Sequence, residues 1–256
     1  MDQILKSIHN FTYKYDKKDE IYWNNKQFVL EAVKRNGSYL NYTSKELRND
    51  KEVILEAVKT NGYYLKYASK ELQNNKEIVH EAIRNDGNTL QYASKKLKND
   101  KEVVLEAVKT KGSSLCYASK KLQNDEEIIL KAIKNDGSAL QYASKKYKNN
   151  KKIVLEAIKN KGPVLLCASK ELQNDKEFII EIIKIDGLYI QHAPKELQNN
   201  KKIFMMALKN LGFIDYIELK RNNNKITHDL KFEYRIFRKS YQGLIKNTFD
   251  LILELY

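Results

Sequence analysis

In 256 residues the chain carries 47 basic and 33 acidic side chains, a formal net charge of +14, yet only two prolines, nine glycines and two cysteines. Few breakers leave little room for irregular loops, no apolar run reaches the roughly 18 residues of a membrane helix, and polar residues break up Met1–Asn10 too often for a secretory leader. Cys116 and Cys167 lie far apart without CxxC spacing, so no disulfide framework is expected and the location expected is intracellular and reducing.

Residues 1–25 hold an amphipathic segment with Ile4, Leu5, Ile8 and Phe11. Ile21-Tyr22-Trp23-Asn24-Asn25 follows and imitates the tail of the unit that comes next. This stretch predicts an N-terminal cap.

From Lys26 to Lys225 the sequence repeats every 25 residues without insertion, with glycine at Gly37, Gly62, Gly87, Gly112, Gly137, Gly162, Gly187 and Gly212. Asparagine recurs at the same interval from Asn49 to Asn224. A weaker 50-residue alternation (Arg48, Gln73, Lys98, Gln123, Lys148, Gln173) points to duplication of a two-repeat block.

Within a unit, Asn74 stands three residues before Glu77, the spacing of a capping box, and predicts a helix over about residues 75–85. Val53, Ile54, Ala57 and Val58 have the spacing of a buried helical face. Gly62 reads as a C′ residue, where a positive φ costs least. A second, shorter helix carries Leu65 and Ala68, and Ser69 is placed to cap a final turn holding Leu72. One such hairpin cannot bury both faces, whereas neighbours stacked about 8–10 Å apart build a continuous core. Ala57, Ala82, Ala107, Ala132 and Ala157 would let adjacent helices approach closely. Ile182 interrupts that series, so packing is expected to change near the seventh unit.

The eighth unit loses its pattern after Gly212, and residues 226–256 carry Leu230, Tyr234, Phe237, Tyr241 and Leu244 at helical spacing. The predicted fold is all-α, a right- or left-twisted α-solenoid of stacked short helical hairpins. Eight repeats over 26–225 lie between an N-terminal cap, 1–25, and a C-terminal helical cap, 226–256.

The unit E-V-V-L-E-A-V-K-x-x-G-x-x-L-x-Y-A-S-K-x-L-x-N-D, as in Glu102–Asp125, resembles a helical repeat family catalogued as a domain of unknown function, whose catalogued unit spans about two of these repeats. The resemblance covers about Lys26 to Asn200. It implies the repeat fold and an origin among protists, bacteria or large DNA viruses. It brings no catalytic residue, no cofactor and no partner.

Little in the chain suggests reaction chemistry. His9, His80, His192 and His228 are scattered, and His80 reads as a half-buried packing residue. Glu56, Glu81, Glu106 and Glu156 recur at one phase, which marks a structural or solvated face, since an active site is a singular event. No GxGxxG, GxxxxGK or GxSxG occurs. The expectation is therefore no enzyme, no catalytic residue, no metal site and no cofactor.

Charge invites an acidic partner, but only six basic residues are arginine, the side chain that planar phosphate and base recognition favours. The eighth unit has the largest basic surplus, around Lys220, Arg221 and Lys225. Weak, non-specific nucleic-acid binding is the most that this pattern predicts.

Tyr42, Tyr67, Tyr92, Tyr117 and Tyr142 form a ladder of one ring per unit. It could be a stacking platform for single-stranded nucleic acid. The reading preferred is packing between hairpins, with each hydroxyl at the surface. In a solenoid the core positions repeat and the exposed ones diverge, often on a binding face. Here the two residues after each glycine vary, as does the residue before the ladder tyrosine. These positions give the candidate partner-binding residues Tyr39, Tyr63, Tyr64, Lys66, Asn88, Gln91, Gln141, Tyr189 and Gln191. The function expected is a binding scaffold for another protein, acting through an extended face. The alternative is sequence-tolerant nucleic-acid binding through the lysines and the tyrosine ladder.

Overall fold

A computed structural model describes residues 2–9, 14, 16–160 and 164–210, in two compact units: 1–147 with 160–162, and 148–159 with 163–256. The expected C-terminal cap, and the eighth repeat beyond Asn210 with its Gly212, Lys220, Arg221 and Lys225, lie outside the described residues. Among the described residues the fold is all-α, without a strand.

The first unit begins with α1 (Asp2–His9) and α2 (Glu20–Trp23). The repeat helices follow: α3 (Lys26–Arg35), α4 (Lys51–Thr60), α5 (Lys76–Asn85), α6 (Lys101–Thr110) and α7 (Glu126–Asn135). Each packs along the next. The face predicted from spacing is the buried one: Val53, Ile54, Ala57 and Val58 are wholly inaccessible, as are Leu65, Leu90, Leu115 and Leu140.

The cap of each repeat helix lies one residue later than the sequence suggests. Asp50, Asn75, Asp100 and Asp125, rather than Asn74 and its equivalents, accept the backbone N–H three residues on, as in Ile78 N to Asn75 Oδ1 at 3.2 Å. The recurring asparagine faces the following repeat instead. Ser94, Ser119 and Ser144 donate their hydroxyls to Asn74, Asn99 and Asn124, each at 2.6 Å, and Ser69 donates to Asn49. Ser69, Ser94 and Ser119 also cap their own final turns, with Leu72 N donating to Ser69 Oγ at 3.2 Å, as the spacing predicts. Their backbone N–H groups cross to the preceding repeat too: Ser94 N donates to Gln73 O at 2.9 Å.

The glycine also has another reason to exist. The C-cap of α4 is Asn61, with extended backbone at φ −161°, and Gly62 shows no positive φ. A Cβ on Gly62 would lie 2.2 Å from the carbonyl oxygen of Ala82, and one on Gly87 2.3 Å from that of Ala107. Glycine and alanine are thus two halves of one close approach between consecutive repeats.

Among the described residues the second helix of the hairpin is a 3-10 helix. Gly62–Tyr67 is closed by Tyr64 N to Asn61 O at 3.0 Å and Ala68 N to Leu65 O at 3.2 Å. At about 2.0 Å per residue its six residues span about 12 Å. That nearly matches the roughly 15 Å of a ten-residue α-helix. The Asn61 side chain starts it by accepting from Tyr63 N at 2.9 Å.

At the N-terminal end Trp23 is fully buried, edge-on to Phe28 at 5.0 Å and stacked on Tyr39 at 5.7 Å. Ile8 of α1 is buried as well, and α1 packs against α3.

The second unit contains α9 (Lys151–Lys159), α11 (Lys176–Ile185) and α13 (Lys201–Asn210) as its repeat helices. Between them lie the short α10 (Lys170–Asn174) and α12 (Lys195–Gln198), with α8 (Lys145–Lys148) at the boundary of the units. Ile182, in the alanine phase, is fully buried. The contact between α9 and α11 is sparser than that between consecutive repeat helices elsewhere within either unit, which is the change expected near the seventh repeat.

Candidate partner-binding surface

A 3-10 helix has three residues per turn, so residues three apart eclipse one another. In Gly62–Tyr67 this places Lys66 over Tyr63, with the ammonium 4.8 Å from the ring centroid. It also stacks Tyr64 on Tyr67, at 6.2 Å and 22°. Lys66 reaches the Tyr67 ring as well, at 4.6 Å. A cation over a tyrosine face contributes roughly 0.5–1 kcal/mol at an exposed site.

The same geometry splits the two variable residues after each glycine. Among the described residues the first keeps contact with solvent, half-buried at Ser38, Asn88, Ser113, Ser138 and Leu188 and 45% exposed at Tyr63. The second turns inward. Tyr39 and Tyr189 are only 8% and 6% exposed, and Thr89, Ser114, Ala139 and Val164 occupy the same buried phase. Tyr39 and Tyr189 are therefore buried, contrary to the expectation that they present rings to a partner. Tyr64 is half-buried; its ring covers Gly37 and its hydroxyl donates to Asn36 Oδ1 at 3.0 Å, tying two repeats together.

Of the other candidates, Asn88 is half-buried and engaged, its Oδ1 accepting from Ser114 Oγ at 3.3 Å. Gln91 donates to Asn88 O at 3.2 Å, and Gln141 is exposed. The Gln191 side chain lies outside the described residues. The structure thus gathers Tyr63, Lys66 and Gln91 with the ladder rings and leaves Tyr39 and Tyr189 inside.

The ladder is half-buried along its length apart from Tyr42, whose exposure is 38%. Tyr63 meets Tyr92 of the next repeat edge-to-face, with centroids 4.9 Å apart. Burial, and then a hydrogen bond with Tyr63, push the Tyr92 hydroxyl well above the ordinary tyrosine range. Burial does the same to Tyr117, reinforced by the neighbouring Cys116 and by Tyr142. The phenols of Tyr63, Tyr67 and Tyr117 thus act on Tyr92, and those of Tyr63 and Tyr142 on Tyr117, along this strip.

Under this strip lies a set of residues that the alternation marked without explaining. Gln123 Nε2 donates to the carbonyls of Leu115, Cys116 and Ala118 at 3.1–3.2 Å, closing the open end of its 3-10 helix. Gln73 does likewise, Lys98 donates to Gln91 O at 2.6 Å, and Arg48 donates to Thr43 O at 2.9 Å. The alternation exchanges one donor for another in a single task.

On the helical side the lysines that open α3, α4, α5 and α6 are paired. Lys26 bridges Asp50 and Glu52, Lys76 bridges Asp100 and Glu102, and Lys101 bridges Asp125 and Glu127, always one repeat ahead. A groove of about 490 Å³ includes Leu55, His80, Glu81, Arg84 and Glu106 in its wall. His80 is bonded to Glu106, and Arg84 to Glu81 at 3.1 Å. Among the described residues no group of three or more histidine, cysteine or carboxylate side chains is placed to hold a metal ion, and no helix is long and apolar enough to cross a membrane.

A family profile described as "Domain of unknown function (DUF4116)" matches residues 25–73, 75–123, 125–173 and 175–219, four tandem segments that each take in about two repeats. No curated protein and no solved structure matches the chain.

Proposed function

The chain belongs to the DUF4116 family of tandem helical repeats, and on that footing we propose that it is a non-enzymatic scaffold that binds another protein along the tyrosine strip of its 3-10 helices. The observation carrying this reading is Tyr63: 45% exposed, yet held by Lys66 above it and Tyr92 beside it. A large ring already fixed in place loses little freedom on binding, and tyrosine is a frequent interface hot spot.

Nucleic acid is the second reading. The rings pack against one another and under Lys66, so their faces are not open platforms for bases. Two free thiols, Cys116 and Cys167, fit a scaffold working inside the cell.

The test uses the full chain as bait in an extract of its native cell, with and without nuclease, alongside Tyr63→Ala. A protein retained after nuclease, and lost from a Tyr63→Ala variant still fully folded at the assay temperature, is the result expected. Retention only of nuclease-sensitive material, or equal capture by both baits, would end the proposal.

A further inference from the structure

Charge in the first unit is segregated. On the helical side, Lys26, Lys51, Lys76 and Lys101 each reach a carboxylate of the next repeat. In the turns after Tyr92, Tyr117 and Tyr142 the lysines have no acidic neighbour within the turn. That turn begins Ser-Lys in every repeat of this unit, at Lys45, Lys70, Lys95, Lys120 and Lys145. The next residue is glutamate in the first two repeats, Glu46 and Glu71, but lysine in the following three, Lys96, Lys121 and Lys146.

Three consecutive turns therefore present lysine pairs, and all six side chains are exposed. None is ion-paired among the described residues: Lys120 touches only the Gln123 amide oxygen, and Lys146 lies over the ring of Tyr147. Lys98, along the same edge, shows the local field. Burial first, and then the charge of Lys70, push its pKa below the lysine range, with no carboxylate offsetting them.

The lysine pairs run beside the tyrosine strip. Tyr92, Tyr117 and Tyr142 stand three residues before Lys95, Lys120 and Lys145, a reach of at most about 10 Å of extended chain. Stacked helices recur about every 8–10 Å. An extended peptide rises about 3.3 Å per residue, so carboxylates three residues apart along it keep step with the repeats.

We infer that the turns carrying Lys95-Lys96, Lys120-Lys121 and Lys145-Lys146 form the docking edge for an acidic, extended segment of the partner protein. This rests on the scaffold reading above and specifies the chemistry of the partner. A peptide fits better than nucleic acid because the edge holds no arginine for bidentate phosphate contacts and the adjoining rings are already packed together.

The test measures fluorescence anisotropy of a labelled peptide of four Glu-Glu-Ser triplets, and of oligothymidylate of the same charge, with the full chain at low and at physiological salt. The variant K96E/K121E/K146E installs the residue that repeats one and two already use at this phase, so folding is preserved. The control K34E/K109E/K134E removes the same charge from exposed helix ends. We expect salt-sensitive peptide binding that weakens at least tenfold in the first variant and less than threefold in the control. Equal losses in both variants, no peptide binding to the wild type, or oligothymidylate binding tenfold more tightly through the same lysines would each overturn the inference. A partner captured through Tyr63 and retained in full by K96E/K121E/K146E would remove this edge while leaving the scaffold reading intact. Loss of peptide binding in K96E/K121E/K146E, with no Tyr63-dependent capture, would do the reverse.

Discussion

Asn74 accepts a hydrogen bond of 2.6 Å from the hydroxyl of Ser94, which sits one repeat further along and twenty residues away. The same pair recurs as Asn99 with Ser119 and Asn124 with Ser144. In sequence this asparagine looks like a helix cap; in the folded chain it is a rivet between neighbours.

Asn74→Ala and Asn75→Ala separate the two roles. The first leaves α5 capped and removes one inter-repeat bond, an expected loss of about 0.5–1.5 kcal/mol. The second removes the cap of α5, expected to cost about 1 kcal/mol. Urea denaturation measures both. A loss for Asn74→Ala confined to helix content would return it to a capping role.

Gly62→Ala tests the close approach. At a backbone with negative φ, alanine in place of glycine ordinarily stabilises by about 0.4–1 kcal/mol. Here the added methyl carbon would meet Ala82 O at 2.2 Å, so a destabilisation of about 1–3 kcal/mol is expected. A variant as stable as the parent would show that the repeats can part without cost.

Leu90→Ala empties a fully buried site and should cost about 2–5 kcal/mol. Tyr64→Ala should lower the melting temperature too, since that ring covers Gly37 and bonds Asn36, and Tyr63→Ala should lower it less, since its contacts with Lys66 and Tyr92 lie at a partly exposed site.

Gln123→Lys should be tolerated, because Lys98 performs the same task one repeat earlier. Gln123→Ala leaves the end carbonyls of the 3-10 helix without their donor, a loss of about 1–3 kcal/mol. Equal stability of the two variants would refute the shared role.

Acid should weaken the repeats through their capping aspartates. Burial raises the Asp50, Asp100 and Asp125 carboxyls, but the partner lysines and backbone N–H groups outweigh it and hold them below the usual value of 3.8. Asp175 is lowered mainly by Lys151. The unfolded chain thus takes up protons first, so this stability is fully present above about pH 4 and is lost as pH falls through the folded values. Melting temperatures should stay level from about pH 7 to 5 and drop below about 4. Asp100→Asn should flatten part of that drop.

Periodicity made the architecture legible, because burial of Val53, Ile54, Ala57 and Leu65 is a property of spacing, and spacing is written in the chain. What a side chain does between repeats is not. Asn74 and Gly62 each match a familiar local pattern, a cap and a C′ glycine, and both act instead on a residue twenty positions away. Tyr39 and Tyr189 misled for a related reason. Their phase varies from tyrosine to alanine, which looks like surface drift, but the 3-10 turn points it inward. An α-helical reading of the same segment cannot show this. Tyr63 with Lys66, and Gln123 with its three carbonyls, were recoverable only by assuming three residues per turn.

Ile182 stands where other repeats keep alanine, and the seam between α9 and α11 is thin. In a linear array each repeat is stabilised by its neighbours, so the weakest seam decides where cooperativity breaks. Heat or a pull on the ends should part the second unit there first, releasing α11 and α13 as a block. Amide exchange in those helices would then run ahead of α9, and the transition would broaden into two steps.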